Sequence, residues 1–413
     1  MHQPAQERLR QPRVGRRLAL LLALALFLPG SAAEAQPANA PSLNARAWVL
    51  IDARDGEVLA ARRASRSYPV ASTTKLMTAF VARRALDLKD VVVAPKYEPS
   101  FSAESLLGLR PGERITVRDL LYGLLLASGN DAAVALASAA GGTVPKFVEK
   151  MNKTAQRLGL RNTSYANPIG LDDPDNYSSA ADLAKLAARM REDGKFAEIF
   201  DTPSATLQSG AKTRHVVNRN NLVRNVPWVD GVKTGYTLSA GNVLVASGKR
   251  KGVDLISAVL GAPSEAVRDS ASLELLEYGF SLYRREQPVK NGETLATAGI
   301  AYQDGSVDLV AANGVRVTLR EGQKAEVEID VPSEVEGPLE AGERVGEAVV
   351  LVDGSPRGRT PIVAAAAVPK ATVADRVDAA LPGPRFVAWA LLTVLLAAAA
   401  IALMRLFRHR RGR

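Results

Sequence analysis

The chain has 413 residues, enough for two or three domains, and its 47% hydrophobic and 23% charged residues describe a globular protein rather than a disordered one. It has no cysteine and three histidines, two of them near the termini, which excludes disulfides, thiolate nucleophiles and zinc–thiolate sites and leaves His215 as the one imidazole in the body. The net charge of +10 sits at the ends, +3 in the first 35 residues and +5 in the last nine, so the body carries +2 and offers no argument for nucleic acid.

Residues 1–35 read as a secretory signal peptide. A basic stretch ends in Arg16-Arg17, an apolar run follows from Leu18 to Leu28, Pro29-Gly30 breaks it, and Ala33-Glu34-Ala35 offers a small-x-small cleavage site. Eleven apolar residues are too few to span roughly 30 Å of hydrocarbon. The arginine pair leaves both the general and the twin-arginine export routes open.

After a Pro/Ala/Asn-rich leader, Ala47–Asp52 and Glu57–Ala60 flank an Asp55-Gly56 turn and predict a β-hairpin. Leu76, Met77, Phe80 and Val81 have helical spacing, so a helix starts near Ser72. Thr116-Val-Arg-Asp119 has the form of a capping box and opens an apolar helix to Ala127. Ser128-Gly-Asn-Asp131 interrupts it, and further helices are expected up to Gly141, over Pro145–Leu158 and over Ala180–Asp193. Val229–Gly235, Asn242–Ser247 and Asp254–Leu260 are β-rich, and Glu265–Tyr283 is helical again. Strands at both ends with helices between predict an α/β sandwich over 42–283, in which both chain ends supply one antiparallel sheet flanked by helices.

From 286 to 368 short Val-rich segments alternate with Asn-Gly, Asp-Gly and Pro-Ser turns, the pattern of a small all-β domain. Residues 369–385 form a linker. Phe386 to Met404 is a run of 19 uncharged residues; at ~1.5 Å per residue it is about 28 Å long, enough for a transmembrane helix. Trp389 near one end and the five arginines of the 405–413 tail place that tail in the cytoplasm and the body outside the cell membrane, anchored by a single pass.

Three short motifs carry the chemistry: Ser72-Thr-Thr-Lys75, Ser128-Gly-Asn130 and Lys233-Thr-Gly235. The first two recur by composition, at Ser209–Lys212 and Ser42–Asn44; the third does not. A serine hydroxyl needs a base to act as nucleophile, and without a usable histidine a lysine can serve if burial or a second cation lowers its pKa. Ser72 and Lys75, three apart at a helix start, share a face. Lys233 would be the second cation and would attract a substrate carboxylate. Ser128 could relay a proton to the leaving group, and Asn130 could hold a peptide amide and orient Lys75. The N–H groups of Ser72 and Thr237 could form an oxyanion hole.

In this order the motifs resemble those of penicillin-binding proteins and serine β-lactamases. Ala71–Thr78, Leu126–Ala132, Asn167-Pro-Ile-Gly-Leu171 with Tyr177–Ala180, and Val229–Thr237 extend the resemblance, over roughly 45–283, to the low-molecular-mass serine D-alanyl-D-alanine carboxypeptidases. The resemblance implies the penicillin-binding, β-lactamase-like transpeptidase fold, followed by a small all-β domain and a C-terminal membrane anchor. Many members have an amphipathic C-terminal helix, whereas this run is uniformly apolar.

It further implies that Ser72 is acylated, that Lys75 is the general base and that Ser128 and Asn130 form the second-motif pair. Lys233 and Thr234, with Gly235, Thr237 and Arg268, would hold the substrate and its terminal carboxylate. The substrate would be the peptidoglycan stem pentapeptide, with β-lactam antibiotics as inhibitors and with no cofactor and no metal. His215 matches no catalytic position and reads as a surface residue. A β-lactamase would need a Glu-x-x-Leu-Asn stretch between the second and third motifs; Glu192 and Glu198 lack that context. A β-lactam sensor would need a signalling domain, for which the nine-residue tail has no room. Endopeptidase or transpeptidase side activity stays open.

Overall fold

The computed structural model describes residues 40–380 and 384–410, without the side chains of 378, 384–388 and 406–410. The expected signal peptide lies outside the described residues. The hairpin forms as β1 (Ala47–Asp52) and β2 (Val58–Arg62), with Gly56 in the left-handed region at φ +76. A single 3₁₀ turn, Ala71–Thr74, then leads into α1 (Lys75–Ala85), so Ser72 lies in the turn and not in the helix proper. The small ladder of β3 (Val91–Val93) and β4 (Arg114–Thr116) precedes α2 (Val117–Leu125), α3 (Asn130–Gly141), α4 (Val144–Arg157), α5 (Ala180–Arg191) and α6 (Gly194–Asp201).

These helices start where side chains can cap them. Thr143 accepts from the Lys146 N–H and Ser179 from the Asp182 N–H. At α2 only half of the expected capping box forms: Thr116 Oγ1 accepts from the Asp119 N–H, but the Asp119 carboxylate turns to Ser209 instead.

β5 (Ser204–Leu207) and β6 (Arg214–Val217) pair as a ribbon, and a short α7 (Asn221–Asn225) leads to β7 (Val229–Thr237), β8 (Gly241–Arg250) and β9 (Val253–Ala262), followed by α8 (Glu265–Ser281). The main sheet runs β2-β1-β9-β8-β7, all antiparallel, with β1 pairing β9 from Ala47↔Leu260 to Asp52↔Leu255. Both chain ends therefore build one sheet. It is covered on both faces, which is why β1 reads as an unbroken apolar run. Val49, Ile51 and Ile256 pack with the α1–α6 layer, whereas Trp48, Leu50 and Leu255 pack against Leu275 and Leu276 of α8.

α8 ends two residues earlier than its apolar pattern suggests, and β10 (Tyr283–Val289) begins at once. With β11 (Thr294–Ile300), β12 (Ser306–Ala311), β13 (Val315–Arg320), β14 (Ala325–Asp330), β15 (Glu334–Val335), β16 (Arg344–Val352) and β17 (Ser355–Ala364) it forms an all-β domain: a six-stranded sheet, β14-β16-β17-β12-β11-β15, and the pair β10-β13. Tyr283 donates its hydroxyl to the buried Asp52 carboxylate at 2.6 Å, and Arg320 pairs with Glu57, joining this domain to the β1–β2 hairpin. α9 (Val373–Ala380) and α10 (Pro384–Arg410) follow. Among the described residues no helix is long and apolar enough to cross a membrane. The expected span, 386–404, begins at positions whose side chains lie outside the described residues.

Candidate active site

The turn before α1 places Ser72 and Lys75 together. Ala71 adopts φ +47, an uncommon conformation for a residue with a Cβ. The 3₁₀ geometry then stacks positions three apart, and Lys75 Nζ lies 2.9 Å from Ser72 Oγ. A second contact fixes the amine: Nζ donates to the Ile169 carbonyl at 2.6 Å. That carbonyl is presented by a tight loop in which Asn167 Oδ1 accepts the N–H groups of Ile169, Gly170 and Leu171. Gly170, at φ +86, lets the loop touch the turn, since a Cβ there would lie 2.0 Å from the Ala71 carbonyl oxygen. The orienting contact expected from Asn130 is thus supplied by Ile169.

Lys75 is fully buried, and burial pushes its pKa down to about 7. The negative charge of Glu104 opposes this, Arg219 adds to it, and Asp131 opposes it. At neutral pH a substantial fraction of the amine is therefore unprotonated, and across the same 2.9 Å contact the Ser72 hydroxyl can then donate to it.

The second motif bridges α2 and α3. Ser128 takes φ +66, and its buried Oγ has no hydrogen-bond partner among the described residues. Asn130 opens α3 and donates its amide to Glu104 Oε2 at 2.6 Å. Glu104 also accepts from the Tyr97 hydroxyl and the Ser100 N–H. Burial raises the Glu104 pKa, but the hydrogen bonds from Tyr97, Asn130 and the backbone outweigh it and hold the carboxyl below its ordinary value. Asp131 accepts from the Leu107 and Leu109 N–H groups, both at 2.9 Å, and so ties the 105–109 segment to the motif.

The third motif lies on β7 at the edge of the sheet. A Cβ on Gly235 would stand 3.0 Å from both the Ser72 nitrogen and the Val70 carbonyl oxygen, so glycine lets this strand lie against the reactive serine. Lys233 Nζ donates to the Thr234 carbonyl at 3.0 Å. Its pKa is held well below the ordinary lysine value by burial and then by the cations Lys75, Arg219 and Arg268. The cation acting on Lys75 is Arg219, where the sequence pointed to Lys233. Thr237 Oγ1 donates to Asp172 at 2.7 Å.

Two cavities meet at Ser72. The larger, about 840 Å³, takes in Ser72, Ser128, Thr234, Gly235, Arg219 and Arg268. Arg268 is buried there and donates from Nε to Asp269 Oδ1 at 2.9 Å, with Nη2 left without a hydrogen-bond partner among the described residues, so the structure brings this distant helix residue to the same recess. His215 is exposed on β6 at its rim. The smaller, about 500 Å³, takes in Ser72, Glu104, Asn130 and Thr237. Glu104 and Arg219 were missed from the sequence because neither lies in a motif and the signal for both is purely spatial. Among the described residues no group of His, Asp and Glu side chains could hold a metal ion.

A buried, partly deprotonated lysine on a serine hydroxyl, facing a recess walled by cations, defines a serine acyl-transfer site that takes an anionic substrate end. Comparison with known proteins narrows the class. The family model described as D-alanyl-D-alanine carboxypeptidase matches residues 34–264, and that of the penicillin-binding protein 5 C-terminal domain matches 283–370. The chain is 32% identical to D-alanyl-D-alanine carboxypeptidase DacF of Bacillus subtilis, covering 84% of this chain and 92% of that one. It is 35% identical to DacC of Escherichia coli, covering 82% and 88%. The crystal structure of penicillin binding protein 5 from Haemophilus influenzae superposes with a TM-score of 0.58 at 32% identity, over 81% of this chain and all of that one. The chain belongs to the D-alanyl-D-alanine carboxypeptidase family, a family of serine hydrolases, and has its penicillin-binding fold with the C-terminal all-β domain.

Proposed function

We propose that this protein performs its family's reaction with Ser72 as nucleophile, releasing the terminal D-alanine of peptidoglycan stem pentapeptides, and that β-lactams acylate the same serine. The observation that carries the reading is the 2.9 Å contact between Ser72 Oγ and a lysine whose pKa is about 7. The substrate carboxylate enters the recess of Thr234, Arg219 and Arg268. Its arrival favours the protonated form of Lys233 behind it. Neutral Lys75 takes the Ser72 proton as Oγ attacks the carbonyl of the penultimate residue, and the Ser72 N–H, with an N–H on the free edge of β7, receives the oxyanion. Ser128, whose hydroxyl is otherwise unengaged, passes the proton from Lys75 to the departing amine. With D-alanine gone and Lys75 neutral again, water attacks the acyl-enzyme, its proton goes to Lys75 and then returns to Ser72 Oγ.

Comparing D-alanine release from a pentapeptide by the wild type and by Ser72→Ala tests this, with circular dichroism to check the fold. Release by the wild type and none by the variant is expected. Release by a folded variant, or a penicillin adduct found by mass spectrometry on another residue, overturns it.

In the same reading residues 1–35 are an export signal and 386–404 a single membrane anchor. What supports the anchor is the uncharged run 386–404, with Trp389, Leu395, Ile401 and Met404 all exposed and arginines directly after it. The catalytic domain then works outside the cell membrane, and the β domain spaces it from the bilayer. Recovery of the full chain in the soluble fraction would remove the anchor from this account. Unchanged wall processing after deletion of 286–368, with the anchor kept, would remove the spacer role.

A further inference from the structure

A third concave surface lies in the helical layer, away from the reactive serine. It is a groove of about 820 Å³ between the C-terminal end of α1 and one side of α4. Val81 and Ala85 give it apolar surface, Arg84, Lys150, Lys153 and Arg157 give it four cations, and no acid lines it among the described residues. The three α4 cations follow one another at spacings of three and four, which sets them in a single stripe on the helix. Phe147 and Met151 of the same helix are buried in the core. Glu149, the one acid of α4, does not line the groove.

None of these cations is spent on an acid. Lys150 Nζ donates to the Ala140 carbonyl at 2.6 Å and Arg157 Nη2 to Thr154 Oγ1 at 2.9 Å, both neutral acceptors, and Arg84 lies over the Phe80 ring. None of the four forms an ion pair among the described residues, whereas Arg83, Arg189 and Lys195 of the same layer are paired with Asp193, Glu192 and Glu198. Like charges around one groove repel one another, and a polyanion lying along it relieves that repulsion. A flat bilayer cannot line a concave groove. Nor does α1 or α4 carry any of the large exposed apolar side chains that a lipid surface would take up.

The identity of the anion follows from the substrate. Each stem peptide ends in a carboxylate both before and after D-alanine leaves, so a wall strand is a row of carboxylates. α1 links the two places: Lys75 at its start touches Ser72, and Arg84 in its last turn lies about 14 Å further along the helix axis. A tripeptide with its scissile carbonyl at Ser72 extends only about 7 Å upstream and does not reach the groove. We propose that the groove is an exosite for the polymer, holding the carboxylates of neighbouring stems on the strand whose stem occupies the active site. This rests on the function proposed above. Holding one strand at two places raises the concentration of its stems at Ser72.

The test compares the wild type with a double variant, Arg84→Gln and Lys153→Gln. The full chain in neutral detergent is given sacculi that carry pentapeptide stems and, separately, Nα,Nε-diacetyl-L-lysyl-D-alanyl-D-alanine. The variant should release D-alanine from sub-saturating sacculi about tenfold more slowly at low salt, and high salt should bring the wild type down towards it. Its kcat/KM for the tripeptide should stay within about twofold of the wild type, which also checks that the active site is folded. Equal rates on sacculi, or a loss of the same size on both substrates, overturns the exosite while leaving the carboxypeptidase reading intact. A defect that appears only when phosphatidylglycerol is added to the micelles marks the groove as a lipid contact and overturns it as well. Release from neither substrate by the wild type overturns the carboxypeptidase reading and the exosite with it.

Discussion

Asn130 of the second motif donates its side-chain amide to Glu104, so a motif residue is anchored to a carboxylate that belongs to no motif. The charge of Glu104 also favours the ammonium form of Lys75. Glu104→Gln removes that charge and keeps an oxygen for Asn130. The Lys75 pKa then drops below about 7, more of the amine is neutral at a given pH, and the acid limb of the kcat/KM profile for D-alanine release moves to lower pH. A limb that stays in place or moves up contradicts Lys75 as the base. Glu104→Ala also strips Asn130 of its acceptor, and kcat/KM should fall by roughly tenfold or more.

Arg219 acts on the same amine with the opposite sign. Its positive charge adds to the effect of burial in holding Lys75 down. Arg219→Gln should therefore raise the Lys75 pKa and move the acid limb of kcat/KM to higher pH. KM should also rise, because Arg219 lines the recess that receives the substrate carboxylate. The two charge-neutralising variants thus displace the limb in opposite directions, which a general loss of structure cannot do. Parallel shifts would sink the assignment.

Gly235 lies so close to the serine turn that a methyl group would meet the Ser72 nitrogen and the Val70 carbonyl oxygen at 3.0 Å each. Both are backbone atoms and cannot rotate away. Gly235→Ala should push β7 from Ser72, at about 1–3 kcal/mol of strain, and slow acylation by a fluorescent penicillin at least tenfold. Thermal melting should fall by only about 2–10 °C, since the strand keeps its pairing with β8. An unaltered acylation rate would show that the close approach of strand and serine does not matter to the reaction.

The catalytic domain was legible in the sequence because many of its elements have a local signature: an Asp-Gly turn, β-rich runs over 229–235, 242–247 and 254–260, and a helix that opens at Thr116. The nucleophile and its base were legible for a similar reason, being three residues apart in one turn. What places Lys75, however, is Ile169, 94 positions away, and what shifts its charge is Glu104 and Arg219. Those contacts arise only when the loops converge on the β7 edge, and no periodicity records them. Arg268 was legible only by resemblance, since a lone arginine on an amphipathic helix reads as surface; the structure buries it in the recess.

Arg214 and Glu113 form the most enclosed ion pair near the site, with Nη1 to Oε1 at 2.7 Å and both side chains buried. Arg214 also donates to the carbonyls of Leu107 and Gly108, and so braces the segment that Asp131 holds from the other side. The Arg214 guanidinium, against the opposing effect of burial, holds the Glu113 pKa down to about 2. Because the folded-state value lies below the unfolded one, the pair's stabilisation is full above the ordinary carboxylate pKa and is lost as pH falls from there towards 2. Glu113→Gln leaves the guanidinium buried without its counter-charge and should cost about 3–5 kcal/mol at pH 7 in urea unfolding. That gap should narrow as the pH is lowered through the acid range. Replacing both residues by methionine should restore part of the loss, because an uncompensated buried charge is worse than none. A Glu113→Gln midpoint equal to the wild type at pH 7 would mean that the pair braces nothing.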